Sequence, residues 1–379
     1  MMAEVFSWTR VAAVLAKEFI QVRRDRLTFG MILGIPVMQL AMFGFAINSD
    51  PKNLPTAVLS ADPSPFARSF VSAMENSGYF RVVREVTTEA EANRLLELGS
   101  VQFVVNIPQD FSRKLQRGER PAILVEADAT DPGATSNAIG ALTQLNQSAL
   151  DRDLTGGLQR LKSGPPPFEL RIHRRYNPEG ITQHNVVPGL MGVILTMTMV
   201  IMTALGMTRE RERGTMEALL AMPVRPVEVM LGKILPYVLI GYAQVTLIVL
   251  AARFLFNVPF VGSLALLSVV LVVFISANLS IGFTFSTVAR NQLQAMQMAF
   301  FFFLPSILLS GFMFPFRGMP GWAQAIGEVL PLTHFLRIVR GILLKGVGPA
   351  EIAPEMWPLF LFMLAAMGVA LARYRQTLD

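Results

Sequence analysis

RERERGTMEALLAMPVRP, residues 209–226, lies between two long apolar segments, and its reading decides how the chain is organised. Arg209 to Arg213 alternate in charge and carry the end of the preceding apolar helix into water. Glu210 and Arg213 are placed for an i, i+3 pair contributing only tenths of a kcal/mol. Gly214 suits a helix stop, and Thr215 suits the cap of a new short helix, Met216–Met222. Pro223 ends that helix, and Pro226 suits the first turn of the next apolar segment. The expected product is a short helix, within about 209–223, turned out of a membrane. It shows Met216, Leu219, Leu220 and Met222, with Glu212 and Glu217 nearby, a mixture that suits docking into a groove on another protein. A generic charged loop is the competing reading.

Working outward, the chain of 379 residues is 52% hydrophobic and 16% charged, with a mean hydropathy of +0.47. Ordinary soluble domains are about a quarter charged, so this chain lacks what a water-facing surface requires. It reads as a polytopic membrane protein. With no cysteine it has no disulfide framework, thiolate metal site or cysteine nucleophile. The net charge of +6 reflects basic residues clustered at the ends of apolar runs. No basic face with stacking aromatics points to nucleic acid.

Before the first apolar run, within residues 1–26, Trp8, Val11, Leu15, Phe19 and Val22 recur at helical spacing. Lys17, Glu18, Arg10 and Arg24 lie off that stripe. Such a helix is expected to lie in the membrane interface with Trp8 at headgroup depth; an amphipathic helix on a soluble domain is the alternative. Residues 27–47 are uncharged and match the roughly 20 residues that cross a bilayer. They exceed a typical signal-peptide h-region, so they read as an anchor.

Residues 48–182 change character. β-like runs (56–60, 80–85, 101–107, 122–126, 168–173) alternate with helical ones (65–76, 89–98, 110–117, 135–161). That alternation predicts an α/β domain inserted between the first two spans. The leucines of 135–161 are placed to pack on this domain or on a second subunit. In DATDPG, Asp128 and Asp131 read as turn chemistry rather than metal ligands. Residues 183–379 hold five more spans, at about 185–207, 229–251, 262–287, 293–314 and 356–372. Pro305 falls within the fifth as an expected kink. Between the last two, about 318–346, helical pieces too short to span read as re-entrant or interfacial. The fold class is an α-helical polytopic membrane protein of six transmembrane helices with that α/β insertion.

Basic residues in the short loops (Lys17, Arg23, Arg24, Arg26; Arg209, Arg211, Arg213, Arg225; Arg290; Arg373, Arg375) all fall on one side of six spans. That side is expected to be cytoplasmic, with both termini inside and the α/β domain outside. Arg337, Arg340 and Lys345 count against this assignment. No ionisable residue stands near a span midplane, where a proton-coupled transporter usually keeps a relay. Gln244, Asn278, Gln294 and Gln297 are polar residues that can line a path or serve as interhelical glue. No Walker A motif occurs, since Gly232-Lys233 has Val227 where the first glycine should be. No catalytic grouping is visible, and His173, His184 and His334 are scattered.

The stretch from Tyr176 to Tyr237 resembles the signature of ABC-2-type transporter permeases. It holds a YNP before the second span, a VPG opening it, an RERERGT-x-E element after it, and Leu231-Gly232-Lys233 opening the third. KEFIQVRRDR (17–26) is similar to that family's interfacial helix, and LPLTHFLRIVRGILL (330–344) to its re-entrant outer helices. The large outer domain resembles the drug- or small-molecule-exporting branch. The resemblance implies a non-enzymatic half-transporter in a bacterial cytoplasmic (inner) membrane, pairing with a second permease copy or paralogue. A separate ABC ATPase subunit would bind the ATP and Mg, leaving no cofactor on this chain, and a periplasmic adaptor (membrane fusion) protein often joins outside. The implied ATPase-coupling residues are Glu210, Arg211, Glu212, Arg213, Gly214, Thr215, Glu217, Leu219 and Leu220, with Lys17 and Glu18 of the interfacial helix. A membrane-anchored sensor or assembly factor, with the outer domain as binding module, is the reading from another class.

The loop charges make a topological prediction. A cysteine replacing Ser100 should react with an impermeant reagent from outside intact cells. One replacing Thr215 should react only after the membrane is opened, and labelling of both from one side would overturn the six-span arrangement.

Overall fold

The computed structural model describes residues 51–162, 164–212 and 226–373. The helix expected within 1–26, the span at 27–47 and residues 213–225 of the charged element fall outside them.

The first part is a five-stranded sheet. Its strands are β1 (Leu54–Ser60), β2 (Phe80–Glu85), β3 (Phe103–Ile107), β4 (Ala122–Asp128) and β5 (Glu169–Arg175), in the order β2-β1-β3-β4-β5. β1 runs parallel to β2 and β3, β3 is antiparallel to β4, and β4 is parallel to β5. Helices α1 (Pro65–Asn76), α2 (Glu89–Glu97), α3 (Phe111–Arg117) and α4 (Pro132–Ser148) connect the strands. Local chemistry starts and stops them. The side chains of Ser64, Thr88 and Asp131 accept the Ala67, Glu91 and Gly133 N–H groups at the starts of α1, α2 and α4. Gly118 ends α3 in the left-handed region at φ 76°. Phe70 and Phe168 meet edge to face at 5.3 Å, and Phe80 and Phe103 at 5.1 Å, in the middle of the core.

The helix expected over 135–161 instead begins at Pro132 and ends at Ser148. Turns then carry Leu150 and Leu154 back into the domain core, each 1% exposed, before a short 3-10 segment at Gly156–Leu161. A continuous helix would have carried these leucines past the sheet, so burial wins over helical periodicity.

The register places both ends of the domain together. Gln102 N–H donates to Pro55 O, Asp128 N–H to Gln102 O, and Ala129 N–H to Arg175 O. The chain therefore enters β1 and leaves β5 at one end of the sheet, and that end faces the long helices.

Those helices are α5 (Thr182–Glu212), α6 (Pro226–Phe254), α7 (Leu264–Val288), α8 (Gln292–Leu309) and α11 (Pro349–Arg373). Among the described residues, five helices are long and apolar enough to cross a membrane. α8 stops at Leu309 because Gly311, at φ 83°, turns the chain. α11 starts at Pro349, earlier than the apolar run alone suggests, and so includes Glu351 and Glu355. α7 packs against both α5 and α11. A Cβ at Gly282 of α7 would lie 2.6 Å from Val200 O, so the α5 backbone comes close only because position 282 is glycine. Such small-residue contacts hold helices together in lipid, where apolar burial alone drives little.

The two short pieces between α8 and α11 differ. α9 (Gly321–Gly327) exposes Trp322 and Ile326, with Val329 just beyond its end. α10 (Pro331–Arg340) is inside the protein, with Leu332, Phe335, Leu336 and Val339 each 0% exposed. The Phe335 ring stacks on Phe274 of α7 at 4.0 Å. A single π-helical turn, Gly341–Lys345, continues α10.

Among the described residues, the buried apolar clusters of the sheet domain draw only on residues 54–172, and those of the helices only on residues from 176 onward. The domain thus has a core of its own. Residues 50–178 expressed alone should give a soluble protein with a single cooperative thermal transition followed by circular dichroism. A product without one would mean that the domain needs the helices to fold.

Candidate functional site

Helix α5 has 31 residues, about 46 Å at 1.5 Å per residue. It begins at the sheet domain and ends in the alternating charges, so the two candidate functional regions lie at its opposite ends.

At the charged end, Glu210 and Arg211 belong to the last turn of α5, and Arg209 is exposed. Glu212 accepts the Gln292 backbone N–H at 2.8 Å and its side-chain amide at 2.5 Å. These bonds hold its carboxyl below the ordinary carboxylate range. The end of α5 is thereby tied to the first turn of α8, so a displacement of the charged element reaches two helices. Lys17, Glu18, Arg213, Gly214, Thr215, Glu217, Leu219 and Leu220 lie outside the described residues.

The polar residues of the spans take different places. Gln244 of α6 accepts from Thr198 Oγ1 of α5 at 3.0 Å, joining the two helices. Asn278 of α7 is 0% exposed; its Nδ2 donates to Phe274 O while its Oδ1 is buried without a hydrogen-bond partner. Gln294 serves the start of α8: its N–H donates to Asn291 Oδ1, and its Oε1 accepts the Arg290 N–H. Gln297 keeps a buried Oε1 with no partner.

The opposite end carries an ionic assembly that sequence reading missed. Lys345 Nζ donates to Asp128 Oδ2 at 2.6 Å, with both side chains 8% exposed. It also donates to Leu96 O at 2.9 Å, and so caps the α2 C-terminus with a positive charge. Arg340 Nη2 donates to Asn185 Oδ1 at 2.7 Å, and Asn185 Nδ2 in turn donates to Thr130 O at 3.0 Å. Arg317 Nη2 donates to Gly99 O at 2.8 Å. Asp131 faces this assembly: burial raises its carboxyl pKa, while the nearby Arg340 charge opposes the rise. Lys345, Asp128, Asp131, Arg317 and Arg340 line a partly open cavity of about 370 Å³ between the sheet domain and the helices.

In the same cavity wall, Arg337 bridges Glu328 (2.6 Å) and Glu355 (3.1 Å). His334 directs Nδ1 at Glu355 Oε2 (2.5 Å) and Nε2 at Glu328 O (2.8 Å). Both partners are acceptors, so the geometry favours the doubly protonated ring. Burial works against that charge, but the Glu355 carboxylate and the Glu328 carbonyl outweigh it, and the His334 pKa is raised.

Tyr176 and Asn177, the first two residues of the YNP motif, join this end to α5. Tyr176 holds φ 67°, the left-handed region, and its ring lies 5.1 Å from Lys345 Nζ. Burial first, and then the Asp128 charge, push its phenol up to about 12. Asn177 is 1% exposed and closes the turn into α5 through two hydrogen bonds with the Ile181 backbone. The arrangement offers polar docking and transmission of movement.

A family-wide sequence profile described as "ABC-2 family transporter protein" matches residues 26–372. The chain is 32% identical over 373 residues to the Escherichia coli (strain K12) protein named "Probable multidrug ABC transporter permease YbhS", covering 97% of this chain and 96% of that one. It is 31% identical over 336 residues to "Inner membrane transport permease YhhJ" of the same strain, covering 86% of each. It is 27% identical over 362 residues to "ABC transporter G family member 20" of Dictyostelium discoideum, covering 93% of this chain and 48% of that protein.

The His334 assembly sets a pH dependence. A raised folded pKa means that its stabilisation is fully present below the unfolded value of about 6.5 and is lost as pH rises through the folded value. His334 faces Glu355, Glu328 and Arg337. The thermal-stability advantage of the natural protein over His334→Gln should therefore be greatest below that value and shrink as the medium becomes alkaline. An advantage constant across that window would show that His334 does not carry the charge.

Proposed function

This chain belongs to the ABC-2 family of transporter proteins and is a permease subunit of an ABC transporter; from that premise we propose that it is half of an ATP-driven exporter of drugs or other small amphipathic molecules. Two such permeases form the pathway, and a separate ABC ATPase carries the ATP and Mg. Six spans, counting residues 27–47, cross a bacterial cytoplasmic (inner) membrane with both termini inside. The sheet domain stands outside, between the first and second spans, where an adaptor protein can meet it.

The observation that carries this reading is the span of α5. One unbroken helix connects the sheet domain at its start with the alternating charges at its end. A partner that moves residues 209–223 therefore acts on the same continuous helix, with Pro188 in its second turn, that leads to the outer domain. The return of both domain ends to the helix-facing side of the sheet supports the insertion, because neither connection has to cross the domain. The multidrug name of a relative similar over nearly the whole chain supports the substrate class.

The coupling reading is tested at its apolar and acidic faces. Leu219→Asp places a charge in the proposed docking pocket, and Glu217→Lys reverses one. Loss of a partner from a buried charged contact costs about 2–5 kcal/mol. Both variants should insert normally in the membrane yet co-purify with the ATPase at least tenfold less well. Glu212→Lys should also impair transport, by releasing α8 from α5. Full ATPase recovery with Leu219→Asp and Glu217→Lys would defeat the docking assignment.

A further inference from the structure

The seam between the sheet domain and the helices is built unlike either part it joins. Among the described residues, no buried apolar cluster crosses it, since the domain clusters end at residue 172 and the helix clusters start at 176. What crosses is polar: Lys345 to Asp128 and Leu96 O, Arg317 to Gly99 O, and Asn185 to Thr130 O. The seam also contains the cavity of about 370 Å³. Two polar atoms of residues lining that cavity, Gln102 Oε1 and Arg340 Nε, are buried without a hydrogen-bond partner. Permanent interfaces resemble a protein core cut in half, whereas polar interfaces between domains of one chain permit relative motion. Close-packed apolar cores resist gradual deformation. Motion is therefore expected at the seam and not within either body.

One contact dominates. The Lys345–Asp128 pair is nearly buried and sits where three elements converge. Lys345 ends the π turn that continues α10, Asp128 ends β4, and Leu96 lies in the last turn of α2. The π turn is held from behind, where Val261 N–H donates to Leu343 O at 3.1 Å and Gly262 lies against Ile342 O. Lys345 thus projects from a fixed base. The Tyr176 ring beside it leads directly into α5, so the pair lies next to the element that carries the charged end.

We propose that the outer domain swings on this seam during the transport cycle and that Lys345–Asp128 is the catch that holds it in the docked position seen here. The proposal rests on the permease reading. Domain motion without loss of either core is a hinge transition about loop or element-terminal residues. The loop at residues 51–53 and the step from β5 into Tyr176, ahead of the turn that Asn177 closes, provide the two connections.

The natural absence of cysteine makes a direct test possible in the full chain, reconstituted in lipid with its ATPase. A Cβ built on Gly133 lies 3.9 Å from Pro315 Cγ across the seam, so the Gly133→Cys, Pro315→Cys pair is the one chosen for a bridge across it, with formation of the bridge read by loss of free thiol. ATP hydrolysis by the complex should fall at least fivefold on oxidation and recover with reductant. A disulfide that forms but leaves hydrolysis within twofold of the reduced protein overturns the proposal. A second measurement uses Gln102→Cys, within the cavity, and an impermeant maleimide. Lys345→Met should raise its labelling rate at least fivefold, and an unchanged rate overturns the catch. If no ATPase binds the chain, the permease reading fails, and the catch is judged on the labelling measurement alone.

Discussion

The helical part depends on one close approach. α10 lies on α5 because position 192 has no side chain; a Cβ there would stand 2.7 Å from Leu332 and 2.8 Å from Phe335. Lipid offers little hydrophobic drive for one helix to leave it for another, so contact at van der Waals distance has to hold α10 inside the bundle. Phe335, once seated there, stacks on Phe274, and α7 is then held between α5 and α11. Because the seat is rigid, the polar side of α10 has a fixed direction. His334 and Arg337 turn to Glu328 and Glu355, while Arg340 joins Asn185 of α5 and Lys345 reaches Asp128 of the sheet domain.

That geometry explains why Arg337, Arg340 and Lys345 conflicted with the basic-loop count. The positive-inside rule concerns charges in short hydrated loops near the ends of spans. Arg337 is neutralised by two carboxylates and Lys345 by one, while Arg340 is held by Asn185 Oδ1 and the Gly311 carbonyl. Side chains so engaged serve as internal ties. Removing one member of a buried pair leaves the other charge uncompensated, which is far more destabilising than the net contribution of the pair suggests.

The two ends of α5 differ in a way that suits a transmitting element. At the charged end Glu212 forms a hydrogen-bonded clasp with Gln292, exposed to water and easily rearranged. At the other end Asn177, itself buried, closes the turn into α5 with two hydrogen bonds to the Ile181 backbone. Between them the helix is anchored by α7 at Gly282 and by α10 at Gly192.

Much of this was legible in the sequence because the signals are local. Five strands appeared near where alternation placed them, and the apolar runs from 185 onward became long helices. Gln294, by contrast, was a candidate pathway residue, yet its place three positions after Asn291 at a helix start was readable as a cap. The break at Ser148 was not readable, since only the sheet core draws Leu150 and Leu154 inward. The difference between α9 and α10 was equally hidden, because two short amphipathic pieces look alike until one meets a glycine on another helix. The seam lay furthest from view: Lys345 and Asp128 are 217 positions apart, and Arg317 and Gly99 are 218 apart. Composition and periodicity determine which segments form and which are apolar enough for lipid. Pairing of charges across such separations depends on where folded bodies come to rest, and tertiary packing alone decides that.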